Sequence, residues 1–118
     1  MISVRNKRDI GDTLPLTAIV FSILLTLAGS EKHGYAIMKE VSLPEAGGIA
    51  MGPSTLYGSL DRMMRGGLVE ETGTTDDERR RYYRITGYGR KVAAAEVVRL
   101  RTVLNAARSK RLLEEANF

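Results

Sequence analysis

The stretch Gly52-Pro53-Ser54-Thr55-Leu56-Tyr57-Gly58-Ser59-Leu60-Asp61-Arg62-Met63-Met64-Arg65-Gly66-Gly67 decides how the rest of the chain is read. Pro53 suits the first position of a helix, where its missing N–H would have no partner anyway. Gly66-Gly67 supplies a stop. Leu56, Leu60 and Met63 recur at i, i+4 and i+7, the stripe of one buried helical face. With that stripe turned inward, Thr55, Gly58, Ser59 and Arg62 are expected to turn outward, again at helical spacing. The outer face is then small, polar and cationic, fit to lie close to base edges and phosphates. Ser54 and Thr55 stand at the N-terminal end, where hydroxyls and the positive end of the helix dipole favour phosphate. A capped, solvated helix surface has the same composition, so the flanking segments must decide.

Upstream, Leu16, Ile19, Val20, Ile23, Leu24 and Leu27 fall at helical spacing, and Phe21 and Leu25 widen the stripe. This predicts a core helix over 15–28, capped by Thr13 or Thr17 and ended by Gly29. A second helix is expected from Gly34 to Ser42, with Tyr35, Ile37, Met38 and Val41 apolar and Pro44 ending it. A loop follows, and 49–51 reads as a very short strand. Residues 1–12 show no clear period.

Downstream, 68–72 is a candidate strand, 73–78 a turn-rich tip, and 79–85 a returning strand rich in Tyr. Tyr83 and Ile85 share a strand face and read as core. Thr86 caps a final helix that runs toward Glu115. Three helices, a hairpin and a long closing helix make a mainly α fold with a small β-hairpin wing (α+β). This is the order of a winged helix-turn-helix, whose third helix enters the major groove while the wing flanks it. The expected division is an N-terminal arm over 1–14, the winged helix-turn-helix over 15–86 and a C-terminal dimerisation helix over 87–118.

Charge points the same way. Residues 1–78 carry 7 basic and 11 acidic groups, whereas 79–111 carry 11 basic groups and Glu96 alone. Arg79, Arg80 and Arg81 lie together on the returning strand, with Arg84 beyond, and guanidinium groups match phosphate geometry. Asp76, Asp77 and Glu78 are candidate partners for them when no duplex is present. The single-sign block suggests a polyanionic partner, and a solvated helix face is the other reading of the same charge.

Other classes fall away. At 118 residues, 43% hydrophobic and 27% charged, the chain is one ordinary folded domain with an accessory element. The absence of Cys removes disulfides, thiolate metal sites and cysteine nucleophiles, and His33 is the single histidine. No carboxylate pair, nucleophile–base pair or phosphate-cradling loop has suitable spacing, so no enzyme, metal or cofactor is expected. The apolar run from Ala18 to Ala28 is broken by Ser22 and Thr26 and falls short of the ~20 residues of a membrane span. No signal peptide is read, and the expected location is the cytoplasm.

Ala93, Val97, Leu100, Leu104 and Ala107 are spaced 4, 3, 4, 3 along the closing helix, a heptad seam that two helices share. Val92, Val103 and Ala106 form a neighbouring ridge. One face can be covered by the first helix and the other needs a second subunit, since soluble monomers rarely expose a large apolar patch. A helix folded wholly onto its own core is the other reading.

Ile23-Leu24-Leu25-Thr26-Leu27, His33-Gly34-Tyr35, Ser54-Thr55-Leu56-Tyr57 with Leu60, Gly66-Gly67-Leu68-Val69, and Arg81-Tyr82-Tyr83-Arg84-Ile85-Thr86 with Gly89-Arg90 together resemble the PadR family of bacterial transcriptional regulators. The resemblance covers about Leu16 to Arg90. It implies a homodimeric, usually repressing protein that binds a near-palindromic operator, with the C-terminal helix building the dimer. It places Ser54, Thr55 and Tyr57 at the DNA, with Tyr35 either meeting phosphates or bracing the third helix; Tyr57 is similarly ambiguous. His33 is expected to do structural work in its turn. Departures are visible: Gly58 stands where members often carry Pro, and Asp77-Glu78-Arg79 replaces a Gly-Arg-Pro wing tip. Some members sandwich aromatic drugs between tryptophans; this chain has no Trp. The expected partners are therefore operator DNA, a second copy and a small-molecule effector of unknown chemistry. A winged-helix module for protein–protein contact, without an operator, is the alternative.

Overall fold

Thr13 and Thr17 compete to start the first helix, and their hydroxyls settle it. Thr13 Oγ1 donates to the Ile10 carbonyl at 2.7 Å, closing an earlier helical turn over 10–13. Thr17 Oγ1 accepts from Val20 N–H at 3.2 Å, and helix α1 spans Ala18–Gly29. The expected start at residue 15 was therefore too early: Pro15 lies in the approach. In this computed structural model, which describes residues 10–73 and 80–116, α1 lies at the centre. Its Ile23, Leu24 and Leu27 are buried in one core with Ile37, Leu56, Leu60, Val69, Tyr83 and Val92. Burial of each large aliphatic side chain contributes about 1.5–3 kcal/mol.

Lys32–His33 forms strand β1, which the hydropathy pattern did not show. Two residues are too few for a period, and the strand exists because it pairs with the later wing. His33 then caps helix α2, Gly34–Val41, its Nδ1 accepting from Ala36 N–H at 3.3 Å. That is the structural role expected for it. Lys32 Nζ donates to the Thr26 carbonyl at 2.7 Å and lies 3.6 Å from the Glu40 carboxylate, tying α1 to α2.

No strand forms over 49–51. Pro44–Ala46 is instead a single 3-10 turn, and Gly48 N–H and Ile49 N–H fold back onto the Leu43 and Val41 carbonyls, both at 2.8 Å. The second of these bonds commits the first donor of the expected strand to α2. Helix α3 spans Pro53–Arg65 and ends at Gly66, followed by Gly67 at φ +78°, a conformation that favours glycine.

Strands β2, Val69–Glu71, and β3, Tyr82–Ile85, pair antiparallel, with Val69 opposite Ile85, Glu70 opposite Arg84 and Glu71 opposite Tyr83. On its other edge β3 pairs with β1, giving the order β1-β3-β2. Tyr83 and Ile85 face the core, as the alternation predicted.

Thr86 caps helix α4, Gly87–Ser109, accepting from Gly89 N–H at 2.9 Å while donating to the Gly67 carbonyl at 2.6 Å. A side chain at Gly89 would run into the Leu68 carbonyl, so glycine is what lets α4 pass beside the lead into β2. The helix does not run unbroken to Glu115. Lys110 and Arg111 N–H bond to Ala107 and Arg108 carbonyls, which tightens the last turn, and Arg111 adopts φ 63°. A short helix α5, Leu112–Glu115, follows.

Candidate nucleic-acid interface

Helix α3 presents its N-terminus openly. Gly52 at the cap has no side chain to bond the first-turn N–H groups, and the first turn holds no acid. Exposed Ser54 and Thr55 add hydroxyls beside those donors and the positive end of the dipole. Such an end receives anions. Along the outer face Thr55, Tyr57 and Arg62 are exposed and Gly58 is half-buried.

Ser59 corrects the expected face. It is only 2% exposed, because 56, 59, 60 and 63 form the i, i+3, i+4, i+7 set that a helix turns to its core. Its small size lets α3 seat closely, and its Oγ accepts from Arg62 Nη2 at 3.4 Å. Ser59 thus belongs to the inner stripe, while Arg62 bends across the helix above it.

Tyr57 and the turn into α2 are built together. A side chain at Gly34 would collide with the Tyr57 ring and hydroxyl, so glycine there leaves room for that ring to lie against α2. Tyr57 nevertheless keeps 46% of its surface, and Tyr35 on the next residue keeps 63%. At 63% exposure Tyr35 lies on the surface of α2 and not in the core. Lys39 Nζ lies 6.0 Å from the Tyr35 ring centroid, which adds a cation to the same surface.

The wing carries its arginines among acids. Arg79 lies outside the described residues, as do Asp76, Asp77 and Glu78. Arg80 is exposed, its Nη1 3.4 Å from His33 Nε2, and the His33 ring meets Tyr82 edge-on at 5.4 Å. Arg81 Nε lies 3.6 Å from the Glu71 carboxylate, and Arg84 Nε donates to Glu70 at 2.7 Å. Glu70 and Glu71 were not singled out by the sequence reading. The signal was the hairpin register: once Val69 pairs with Ile85, Glu70 must face Arg84. Burial raises the Tyr83 hydroxyl above its ordinary range, with Glu71 and Tyr57 adding to the effect and Arg81 opposing it.

On α4, Val92 is buried against the core, and Ala93 is half-buried beside it. The rest of the seam emerges: Val97, Leu100 and Leu104 are exposed in the single chain, and so are Val98 and Val103, while Ala107 is half-buried. Glu96, passed over as a lone acid in the basic block, is 2% exposed. Its two oxygens accept from Arg99 Nε and Nη2, each at 2.8 Å. Arg99 and the Leu16 backbone hold the Glu96 carboxyl below its ordinary range against the opposing effect of burial.

Among the described residues no group of His, Asp or Glu is placed to hold a metal ion, and no helix is long and apolar enough to cross a membrane.

Comparison with known proteins adds an independent line. A model of the transcriptional regulator PadR-like family matches residues 23–95. The solved structure of H. salinarum RosR is 27% identical, covers 87% of this chain and 94% of that one, and superposes with a TM-score of 0.61. A PadR family transcription regulator from Clostridium difficile is 22% identical over 79% of this chain and 97% of that one, with a TM-score of 0.68. Bacillus subtilis PadR, solved in complex with operator DNA, is 19% identical over 71% of this chain and 48% of its own, with a TM-score of 0.62. No protein of curated function matches the sequence.

Proposed function

The chain belongs to the PadR-like family of transcriptional regulators, and from that premise we propose that it is a repressor that binds a near-palindromic operator as a homodimer. The observation that carries this reading is the open outer face of α3, small and polar from Ser54 to Arg62, beside the exposed wing arginines Arg80 and Arg81. The face fits a major groove, since no bulky side chain other than Tyr57 stands between the helix backbone and a base edge. Ser54, Thr55, Gly58 and Arg62 read bases and phosphates along the outer face of α3. Tyr35 and Tyr57 meet the phosphate backbone alongside, and Arg79, Arg80 and Arg81 hold it from the wing. The operator complex solved for Bacillus subtilis PadR supports the choice of double-stranded DNA as partner.

Ala93, Val97, Leu100, Leu104 and Ala107 form the contact with the second copy. Burying them removes apolar surface that a lone protomer leaves in water. Two-fold symmetry then sets two α3 helices to half-sites about one helical turn apart. An effector bound between the subunits acts by shifting the population of dimer geometries, each with its own spacing of the two heads. The protein works where its DNA is, in the cytoplasm, as a binding protein and not as an enzyme.

Binding to duplexes from the protein's own promoter region, followed by fluorescence anisotropy at rising salt, tests this. Preference for one sequence is expected, with affinity falling linearly on logarithmic axes as phosphate-bound counterions are released. Absence of any sequence preference at every salt concentration would replace the operator reading with that of a protein–protein contact module.

A further inference from the structure

Two arginines of the wing each face a carboxylate, and the two pairs are not alike. Arg84 stands opposite Glu70 in the ladder and donates to it at 2.7 Å, and the charge of Glu31 also favours its cationic form. Arg81 lies just before β3 and, among the described residues, pairs with Glu71 alone, at 3.6 Å. Both side chains of this looser pair are open to water, at 69% and 41%. An ion pair so exposed contributes little to folding. Its position gives it other work, since Glu71 stands opposite Tyr83 in the ladder and its partner Arg81 is one of the exposed wing arginines proposed to hold the phosphate backbone. The pair therefore lies on the wing, at an arginine proposed to meet the DNA.

We propose that Glu71 gates the wing, occupying the Arg81 guanidinium in the free protein and yielding it to a phosphate when a duplex docks. The carboxylate competes with phosphate for one fork of donors, and after the exchange it remains as a negative charge beside the DNA. Both effects weaken attachment by phosphate contact alone, which every sequence offers equally. A true operator overcomes the gate through the base contacts of α3, and random DNA does not. Glu71 thus acts as a positioning residue for specificity, through Arg81. Glu70 with Arg84 is likewise exposed, at 48% and 56%, but is a directly opposed cross-strand pair bonded at 2.7 Å.

This inference rests on the DNA-binding reading, and the test separates the two. Binding of a random-sequence duplex is measured for the intact chain between about 50 and 200 mM salt, a range where phosphate contacts dominate. Glu71→Gln keeps the shape of the side chain and removes its charge. It is expected to raise non-specific affinity roughly 3- to 10-fold and to steepen the salt dependence by up to about one unit of slope. Glu71→Asp retains the charge and is expected to bind as the parent does. In an Arg81→Ala background the gain from Glu71→Gln is expected to vanish, an outcome that a merely structural role would not produce. If Arg81→Ala weakens binding while Glu71→Gln changes nothing, the gate is wrong and the DNA reading stands. An equal gain from Glu70→Gln would reduce the effect to net charge and overturn the gate as well. A parent protein that binds no duplex at all overturns both readings.

Discussion

Helices α3 and α4 were both predicted from apolar stripes, yet the two stripes end differently. In α3, Leu56, Leu60 and Met63 are all buried by the chain's own core, and what is left outside is, Tyr57 apart, small, polar or charged. In α4 the stripe is buried only near its start, at Val92 and Glu96, and farther along Val97, Val98, Leu100, Val103 and Leu104 emerge into solvent. Helix α3 is complete within one chain, so its outer surface is free for a polar partner. Helix α4 is incomplete, because its apolar surface continues past the body of the domain. The same physical rule, that apolar area leaves water, leaves one helix with a polar outer face and the other with an uncovered apolar one, the faces proposed above for DNA and for a second copy.

The largest break in this comparison comes from the incomplete helix. Leu100→Asp places a charge in the middle of the seam, where a shared interface has no water to solvate it. Sedimentation is expected to show a monomer, with α1 to α3 still folded by circular dichroism. Operator affinity is expected to drop about 100- to 10,000-fold, because two linked heads become one. A mutant that stays dimeric would mean that the seam is misassigned and that α4 is covered in some other way.

The complete helix is sharpened by a pair of substitutions at neighbouring positions. Arg62→Ala removes an exposed side chain from the outer face and is expected to cost about 1–3 kcal/mol of discrimination between operator and a single-base variant. Ser59→Ala, one turn earlier but turned inward, is expected to leave that discrimination unchanged. Titrations with matched and altered duplexes compare the two. Equal effects at both positions would dissolve the distinction between inner and outer faces on which the DNA reading stands.

How much of this was legible in sequence differs by the range of the interactions involved. The Thr86 cap, the buried faces of Tyr83 and Ile85, and the Gly66-Gly67 stop depend on near neighbours, and short-range rules recovered them. Ser59 was misjudged for a physical reason. A helical stripe has three or four members per two turns, and a serine can fill the third place where backbones come close. β1 was invisible because two residues have no period, and only β3, far along the chain, makes them a strand. The partners of the wing arginines were sought in the adjacent acids at 76–78, which lie outside the described residues. The pairs that are seen, Glu70 with Arg84 and Glu71 with Arg81, follow from cross-strand register and not from adjacency. The break at Arg111 likewise has no breaker residue to announce it; it arises from bonds that tighten the final turn.

Glu96 lies where the two behaviours meet, at the last buried position of α4 before the helix emerges. A buried carboxylate is costly unless its oxygens are satisfied, and here Arg99 takes both, with the Leu16 backbone joining from the segment that leads into α1. The hydrogen bonds from Arg99 outweigh desolvation, so the folded protein holds the Glu96 carboxyl below its ordinary range. The sign of the linkage follows. An unfolded chain takes up this proton near pH 4.3, an ordinary glutamate value, whereas the folded one resists until the pH is lower. The stabilisation is fully present above that ordinary value and is lost as pH falls through the depressed one. Urea midpoints measured against pH are therefore expected to drop more steeply below about pH 4 in the parent than in Glu96→Gln, with parallel curves between about pH 5 and 7. Curves that stay parallel down to acid would show that the Glu96–Arg99 pair contributes nothing specific to the junction. The angle at which α4 leaves the domain would then rest on the packing of Tyr88, Val92 and Ala93, the close passage at Gly89 and the Arg90 bond to the Ala28 carbonyl.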